Sequence, residues 1–271
     1  NAPAIVLVHG FSSSLHTWEP WVANLKRDYR VISLDLPGHG LTNCLEGERI
    51  GTGQFVETVD AVTKALGIEK FTLAGNSMGG GVAWAYALAH PSRLDALVLV
   101  DASGWPESSQ EEKSDPVVFK LLSNPVARRL MKNTDMTWLV RDGLRDSFAN
   151  PDLATDDMVN RYTALARAPC HRDALMALTS GGRDRVWATK DALSGIDVPT
   201  LIMHGEQDKV IPVAAARKFA DAIPGAELVI YPDAGHLPQE ELASETAGDL
   251  RAFLARLNAP EPDPAETAEG G

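Results

Sequence analysis

Phe71-Thr72-Leu73-Ala74-Gly75-Asn76-Ser77-Met78-Gly79-Gly80-Gly81 decides how this chain is read. Residues of strand character run into a serine with a glycine two positions away on either side, and a helical pattern opens at Met78. A sharp strand-to-helix turn strains the backbone at its apex, which is tolerable only where the neighbours lack side chains. Gly75 and Gly79 supply that space, and Gly80 lets the helix close on the turn. Ser77 then stands at a helix N-terminus, where free N–H groups favour developing negative charge. A glycine-rich helix start capped by serine, or a phosphate loop, is the competing reading. The Gly-Lys-Ser/Thr ending of a phosphate loop is absent.

Outward from this turn, short β-branched runs alternate with segments of helical period. Residues 4–8, 31–35, 71–74, 96–101, 200–203 and 227–231 read as strands. They are continuously apolar, as strands buried on both faces of a parallel sheet should be. Residues 53–66, 78–90 and 212–223 read as helices, and Leu250, Phe253, Leu254 and Leu257 mark one buried face of a last helix. The alternation predicts an α/β fold with helices on both sides of a mostly parallel sheet.

One connection breaks the rhythm. Roughly 95 residues between Asp101 and Pro199 hold no convincing strand, too many for a loop. Helical patches at 117–132, 136–146, 156–167 and 172–179 are punctuated by Pro106, Pro116, Pro125, Pro151 and Pro169. An insertion after a strand's carboxyl end would sit over the ligand crevice. The expected organisation is a core of residues 1–102 and 198–258, an inserted helical cap at 103–197, and a flexible acidic tail at 259–271.

A serine hydroxyl needs a base, and the base needs an orienting carboxylate. His204-Gly205-Glu206-Gln207-Asp208 follows one predicted strand and Asp233-Ala234-Gly235-His236 the next, both on the edge that carries Ser77. Ser77, Asp208 and His236 therefore form the candidate catalytic set, in the order Ser, Asp, His. Glu206 and Asp101 remain open as alternatives for the acid. Two backbone N–H donors are needed for an oxyanion. Met78 and Phe11 are the candidates, the latter in His9-Gly10-Phe11-Ser12, where Gly10 permits close approach. His9 is read as bracing that loop. Gly10, Asn76, Trp105, Val210 and Leu237 are the expected pocket residues.

At this point the chain resembles the α/β-hydrolase superfamily over almost its whole length. The resemblance rests on Val6-Leu7-Val8-His9-Gly10-Phe11, Asp35-Leu36-Pro37-Gly38-His39-Gly40, Gly75-Asn76-Ser77-Met78-Gly79-Gly80, Gly205-Glu206-Gln207-Asp208 and Gly235-His236. It implies a serine hydrolase, a shaping turn at 35–40 with a structural His39, and two antiparallel strands ahead of residue 4. Asn76-Ser77-Met78-Gly79-Gly80 is similar to the elbow of the meta-cleavage-product hydrolases, which cut carbon–carbon bonds. Those enzymes typically carry H-G-x-G-P-G and a Trp after the catalytic His, where this chain has His9-Gly10-Phe11-Ser12-Ser13-Ser14 and Leu237. Carboxylic-ester hydrolysis of small to medium acyl chains is the expectation. The alternatives are C–C hydrolysis, perhydrolase or haloperoxidase-like chemistry, and a ligand-binding receptor with a vestigial triad.

Composition bounds the rest. The 271 residues carry a net charge of −12, which argues against nucleic acid or an anionic membrane as partner. No apolar run approaches the ~18–20 residues that span a bilayer. Two cysteines cannot staple a chain of this size, and Cys44 and Cys170 are expected as reduced thiols. Trp18, Trp21, Trp105, Trp138 and Trp187 are read mostly as packing. The seven histidines show no metal-ligand spacing, so neither metal nor cofactor is expected. The expected partner is a small-molecule ester, the expected assembly a monomer or homodimer, and the expected location cytoplasmic. The opening Asn1-Ala2-Pro3 is unlike a natural start, so a segment ahead of it is also expected.

Overall fold

The computed structural model describes residues 2–44, 50–106, 135, 137–179 and 186–259. Strands β1 (Ala4–Val8), β2 (Arg30–Leu34), β3 (Phe71–Asn76), β4 (Leu94–Val100), β5 (Thr200–Gly205) and β6 (Glu227–Tyr231) form one sheet, ordered β2-β1-β3-β4-β5-β6. Every pairing in it is parallel. The chain first steps outward from β1 to β2, then returns to lay β3 on the other side of β1. That reversal opens a crevice at the carboxyl ends of β1 and β3, where ligands bind in sheets of this kind.

Alternate side chains feed two cores. Val6, Val8, Leu73, Leu97 and Leu99 pack on one face with α2 (Thr52–Ala65), α3 (Met78–Ala89) and a helix at Ala214–Ala222. Ile5, Leu7, Ala74, Val98 and Val100 pack on the other with α1 (Glu19–Leu25) and the last helix, Ala243–Leu257. Period-two alternation buried on both sides is what continuously apolar strands require. The expected strands are all present, with ends shifted by one or two residues. Leu257 departs from expectation: it is 41% exposed, while Ala247, Leu250, Phe253 and Leu254 make the buried face. The short helix α1 was not foreseen; Trp18 and Trp21 anchor it, fully buried, and the Trp21 indole N–H donates to Thr246 Oγ1 at 2.8 Å.

Between β4 and β5 the described residues hold helices α4 (Thr137–Ser147), α5 (Asp156–Ala166), α6 (His171–Thr179) and α7 (Lys190–Leu193), and no strand. The expected helix at 117–132 lies outside the described residues, as does the tail from residue 260. Segments leaving and re-entering the core meet where the Ala188 N–H donates to the Gly104 carbonyl at 2.8 Å. Ala188, Leu193, Ile196 and Val198 belong to the main core, so the end of the expected cap is core packing. Trp138 and Trp187 are 56% and 43% exposed, against the expectation that they pack. The cysteines also depart from expectation. Cys44, in the turn after β2, and Cys170, just before α6, form a disulfide with Cα atoms 6.2 Å apart. Their separation of 126 residues hid the contact, because sequence alone does not say that α6 returns to the β2 turn. His171 reinforces the junction: its ring lies between the Thr42 carbonyl (Nε2, 3.1 Å) and the Leu165 carbonyl (Nδ1, 2.8 Å).

Candidate active site

The turn at the end of β3 carries the strain its glycines announce. Ser77 has φ 55° and ψ −118°, in the region that residues with a Cβ avoid. It is held there on both sides: its N–H donates to the Val100 carbonyl at 2.9 Å, and its carbonyl accepts the Ser103 N–H at 3.0 Å. A side chain at Gly75 would strike the backbone of Gly79, and one at Gly79 would strike the carbonyls of Val8 and His9. Both glycines are needed for α3 to start directly above β1 and β3. A Cβ on Gly10 would lie 3.1 Å from the Ser77 Cβ, which sets the loop after β1 against the serine.

His9 braces that loop. Its Nδ1–H donates to the Gly10 carbonyl at 2.7 Å and its Nε2 accepts the Leu36 N–H at 3.0 Å. Burial lowers its pKa to about 4, so the ring is neutral, and with both nitrogens engaged it offers no free lone pair to a substrate. His39 lies beside it with ring centroids 5.1 Å apart, and burial first, then His9, lowers its pKa to about 3. Phe11 stacks edge-on with His39 at 6.5 Å.

The histidine and the acid meet on the far side of β4. His236 Nδ1 donates to Asp208 Oδ2 at 2.7 Å, and both groups are buried. The other oxygen, Asp208 Oδ1, accepts the N–H groups of Val210 (2.7 Å) and Ile211 (3.0 Å). Burial alone would raise the Asp208 carboxyl, but the charge and hydrogen bond of His236, with His204 and Ile211, hold it below the usual carboxylate range. Three N–H donors fix its orientation, which leaves Nε2 of His236 as the basic nitrogen. Of the other acids considered, Glu206 is exposed and Asp101 is fully buried beside Asp208.

The expected pocket residues divide by what they touch. Asn76 is buried and donates from Nδ2 to the carbonyls of His236 (3.1 Å) and Val100 (3.3 Å), which ties the serine turn to the histidine loop. Val210 contributes one of the two backbone donors to Asp208. Trp105 packs edge-on against Phe219 at 5.6 Å, as a neighbour of the main core. Leu237 joins Leu144, Phe148, Ala154 and Val159 in a small cluster shared with α4 and α5.

Several residues that hold the site were not singled out from sequence. The His236 N–H donates to the Ser147 carbonyl at 2.7 Å, and Glu241 accepts the N–H groups of Gly235 (2.6 Å) and Ala149 (2.8 Å). The end of α4 is thus bonded to the histidine loop. Ser13 Oγ lies 3.0 Å from the Tyr162 hydroxyl, joining the loop after β1 to α5. The signal for Glu241 was faint: an acid five residues past the histidine, on a helical turn that Pro238 opens. Among the described residues, one trio could offer a metal three ligand atoms: Asp101, His204 and Asp208, within 4.8 Å of one another. Two of the three are already engaged, since His204 Nε2 donates to the Ile211 carbonyl at 2.9 Å and Asp208 Oδ2 accepts from His236.

A family profile described as alpha/beta hydrolase fold matches residues 3–242. The chain belongs to that family. Among curated proteins, this α/β-hydrolase is 32% identical over 257 residues to the dihydrolipoyllysine-residue acetyltransferase component of the acetoin cleaving system of Pseudomonas putida. That match takes in 93% of this chain and 63% of that protein. A 2-hydroxymuconate semialdehyde hydrolase of Pseudomonas sp. (strain CF600) is 28% identical, over 94% of this chain and 88% of its own. Monoacylglycerol lipase abhd6-A of Xenopus laevis is 27% identical, over 96% and 78%. The solved meta-cleavage product hydrolase from Pseudomonas fluorescens IP01 superposes with a TM-score of 0.82 at 24% identity, over 95% of this chain and 92% of that one. It shares the fold. The relatives, which include hydrolases and lipases, support hydrolase activity. No helix among the described residues is long and apolar enough to cross a membrane.

Proposed function

We propose that this α/β-hydrolase cleaves carboxylic esters of small to medium acyl chains through Ser77, His236 and Asp208. The observation that carries the reading is the buried 2.7 Å bond from His236 Nδ1 to Asp208 Oδ2, in a loop tied by Asn76 to the strained Ser77 turn. Ser77 Oγ attacks the carbonyl carbon while His236 Nε2 takes its proton, and Asp208 stabilises the imidazolium that forms. The N–H groups of Met78 and Phe11 receive the oxyanion. Met78 supports this role because it opens α3, where helix N–H groups have no intrahelical carbonyl. Phe11 supports it through the approach of Gly10 to Ser77. His236 then protonates the leaving alkoxide, and water, deprotonated by the same nitrogen, releases the acid from the acyl-enzyme.

The excursion between Gly104 and Ala188 is read as a helical cap, narrower than the 103–197 expected, with α4 and α5 bonded to the histidine and β1 loops. The disulfide supports an oxidising compartment over a reducing cytoplasm. Ser77→Ala is expected to lower turnover of p-nitrophenyl esters by about 10⁴-fold or more with folding intact. Wild-type rates in that variant would overturn the assignment.

The second reading is C–C hydrolysis, favoured by the 28% identical semialdehyde hydrolase and by the Asn76–Gly80 elbow. An ester chain-length series run beside a vinylogous 1,5-diketone dienoate separates the two by the ratio of kcat/KM values.

A further inference from the structure

Asp101 ends β4, and the proposed triad does not use it. Its backbone is left-handed (φ 43°), a conformation that Asp tolerates better than most residues, and its N–H still pairs with the Met203 carbonyl at 2.9 Å. The side chain therefore reaches across the end of β5. Oδ1 accepts the Gly205 N–H at 3.0 Å, while Oδ2 is buried and has no hydrogen-bond donor. A carboxylate oxygen of Asp101 and one of Asp208 lie within 4.8 Å of each other, both beside His204.

Two carboxylates this close, both out of water, cannot both be charged. Counting donors assigns the charge. Asp208 accepts three N–H bonds, from Val210, Ile211 and His236, whereas Asp101 accepts one. The negative charge belongs where the donors are. The proton belongs on the oxygen that has none, and a proton on Oδ2 turns an orphan acceptor into a donor with Asp208 beside it.

We propose that Asp101 is a positioning residue: a neutral carboxylic acid whose Oδ2–H donates to the Asp208 carboxylate and holds it toward His236. The inference rests on the proposed triad for its catalytic meaning, though not for the protonation itself. No net proton transfer is involved, since the hydrogen stays on Asp101 throughout the cycle. The surroundings agree. Burial first, and then the Asp208 charge, push the Asp101 carboxyl well above the usual range. The titratable groups facing it are His204 on β5, Asp208 just after β5, Tyr231 on β6 and Glu241 beyond β6, while His236 stands on the other side of Asp208. Burial lowers the His204 pKa against the pull of Asp208, so His204 adds no second cation. The arrangement follows a general pattern, in which an apolar site keeps a carboxylic acid neutral so that it can donate.

Asp101→Asn preserves the geometry, with an amide N–H where the acid proton sits and a carbonyl for Gly205. Asp101→Ala removes both. In Ala the expected result is a kcat about ten- to a hundredfold lower with KM within about twofold, and an acid limb of kcat/KM moved upward, because unshared Asp208 holds the imidazolium more tightly. Asn is expected to recover kcat to within about threefold of wild type and to return the limb to the wild-type position. Infrared difference spectra, wild type minus Asp101→Asn at neutral pH, should show the C=O stretch of a protonated carboxylic acid, shifted by deuterium exchange. The proposal is overturned if that band is missing, if Asn is as impaired as Ala, or if the limb moves down in Asn, which would mark the loss of a negative charge. Asp208→Asn separates the two levels. It should abolish ester turnover; if it does not, the triad assignment fails, while the infrared band still decides the state of Asp101.

Discussion

Removing the Cys44–Cys170 disulfide should cost this α/β-hydrolase much of its stability, and the size of the loss follows from its placement. The bond joins positions 126 residues apart, closing a loop that runs from the β2 turn to the start of α6. In the chain-entropy picture a cross-link over that separation removes about 5 kcal/mol of unfolded-state freedom at 25 °C. Residual structure in the unfolded chain makes this an upper figure. For a chain of 271 residues, at about 2 °C per kcal/mol, it corresponds to a fall in Tm of about 10 °C. The assay is a set of thermal melts on wild type with and without a dithiol reductant, and on Cys44→Ser/Cys170→Ser. The reductant should bring wild type down to the double variant and leave the variant unmoved. Thiol titration in denaturant without reductant should find no reactive cysteine. Two titratable thiols in the unreduced protein, or a Tm change below about 3 °C, would refute the argument.

Two further outcomes test the site and its surroundings. Asn76→Ala removes the donor that ties the serine turn to the His236 carbonyl, and should lower kcat about 10- to 100-fold with KM nearly unchanged; a raised KM at constant kcat would return Asn76 to the substrate-contacting role first expected for it. His39→Phe tests the buried neutral histidines. Unfolded, a histidine takes a proton below about 6.5; folded, His39 takes none until about 3, so falling pH favours the unfolded chain. Between pH 7 and pH 5 denaturant titrations should show wild type losing about 2 kcal/mol more stability than the variant, and parallel pH curves would contradict the assignment.

Much of the molecule was legible because the decisive signals are local. Continuous apolar runs such as 4–8 announce strands covered on both faces, and the spacing of Gly75, Ser77 and Gly79 reports a backbone that other residues could not adopt. Asp208 and His236 could be paired on paper because each follows a predicted strand on the serine's edge. Asp208 was the choice there, with Asp101 left open beside it. Both acids end up buried within a few ångströms, and only the donors around each, fixed by how β5 and β6 close over β4, distinguish them.

The sequence by itself determined the strands, the strained serine turn and the chain order of the candidate triad, all of which depend on residues within a few positions of one another. Tertiary structure alone decided three things. It brought α6 back to the β2 turn, so that two cysteines expected as thiols became a disulfide. It bonded the end of α4 to the His236 loop through Ser147 and Glu241. It set Asp101 against Asp208, where unequal donors distinguish two buried acids. Each depends on which distant surfaces meet, and in a chain whose local patterns only mark what must be buried, the partner is chosen by packing.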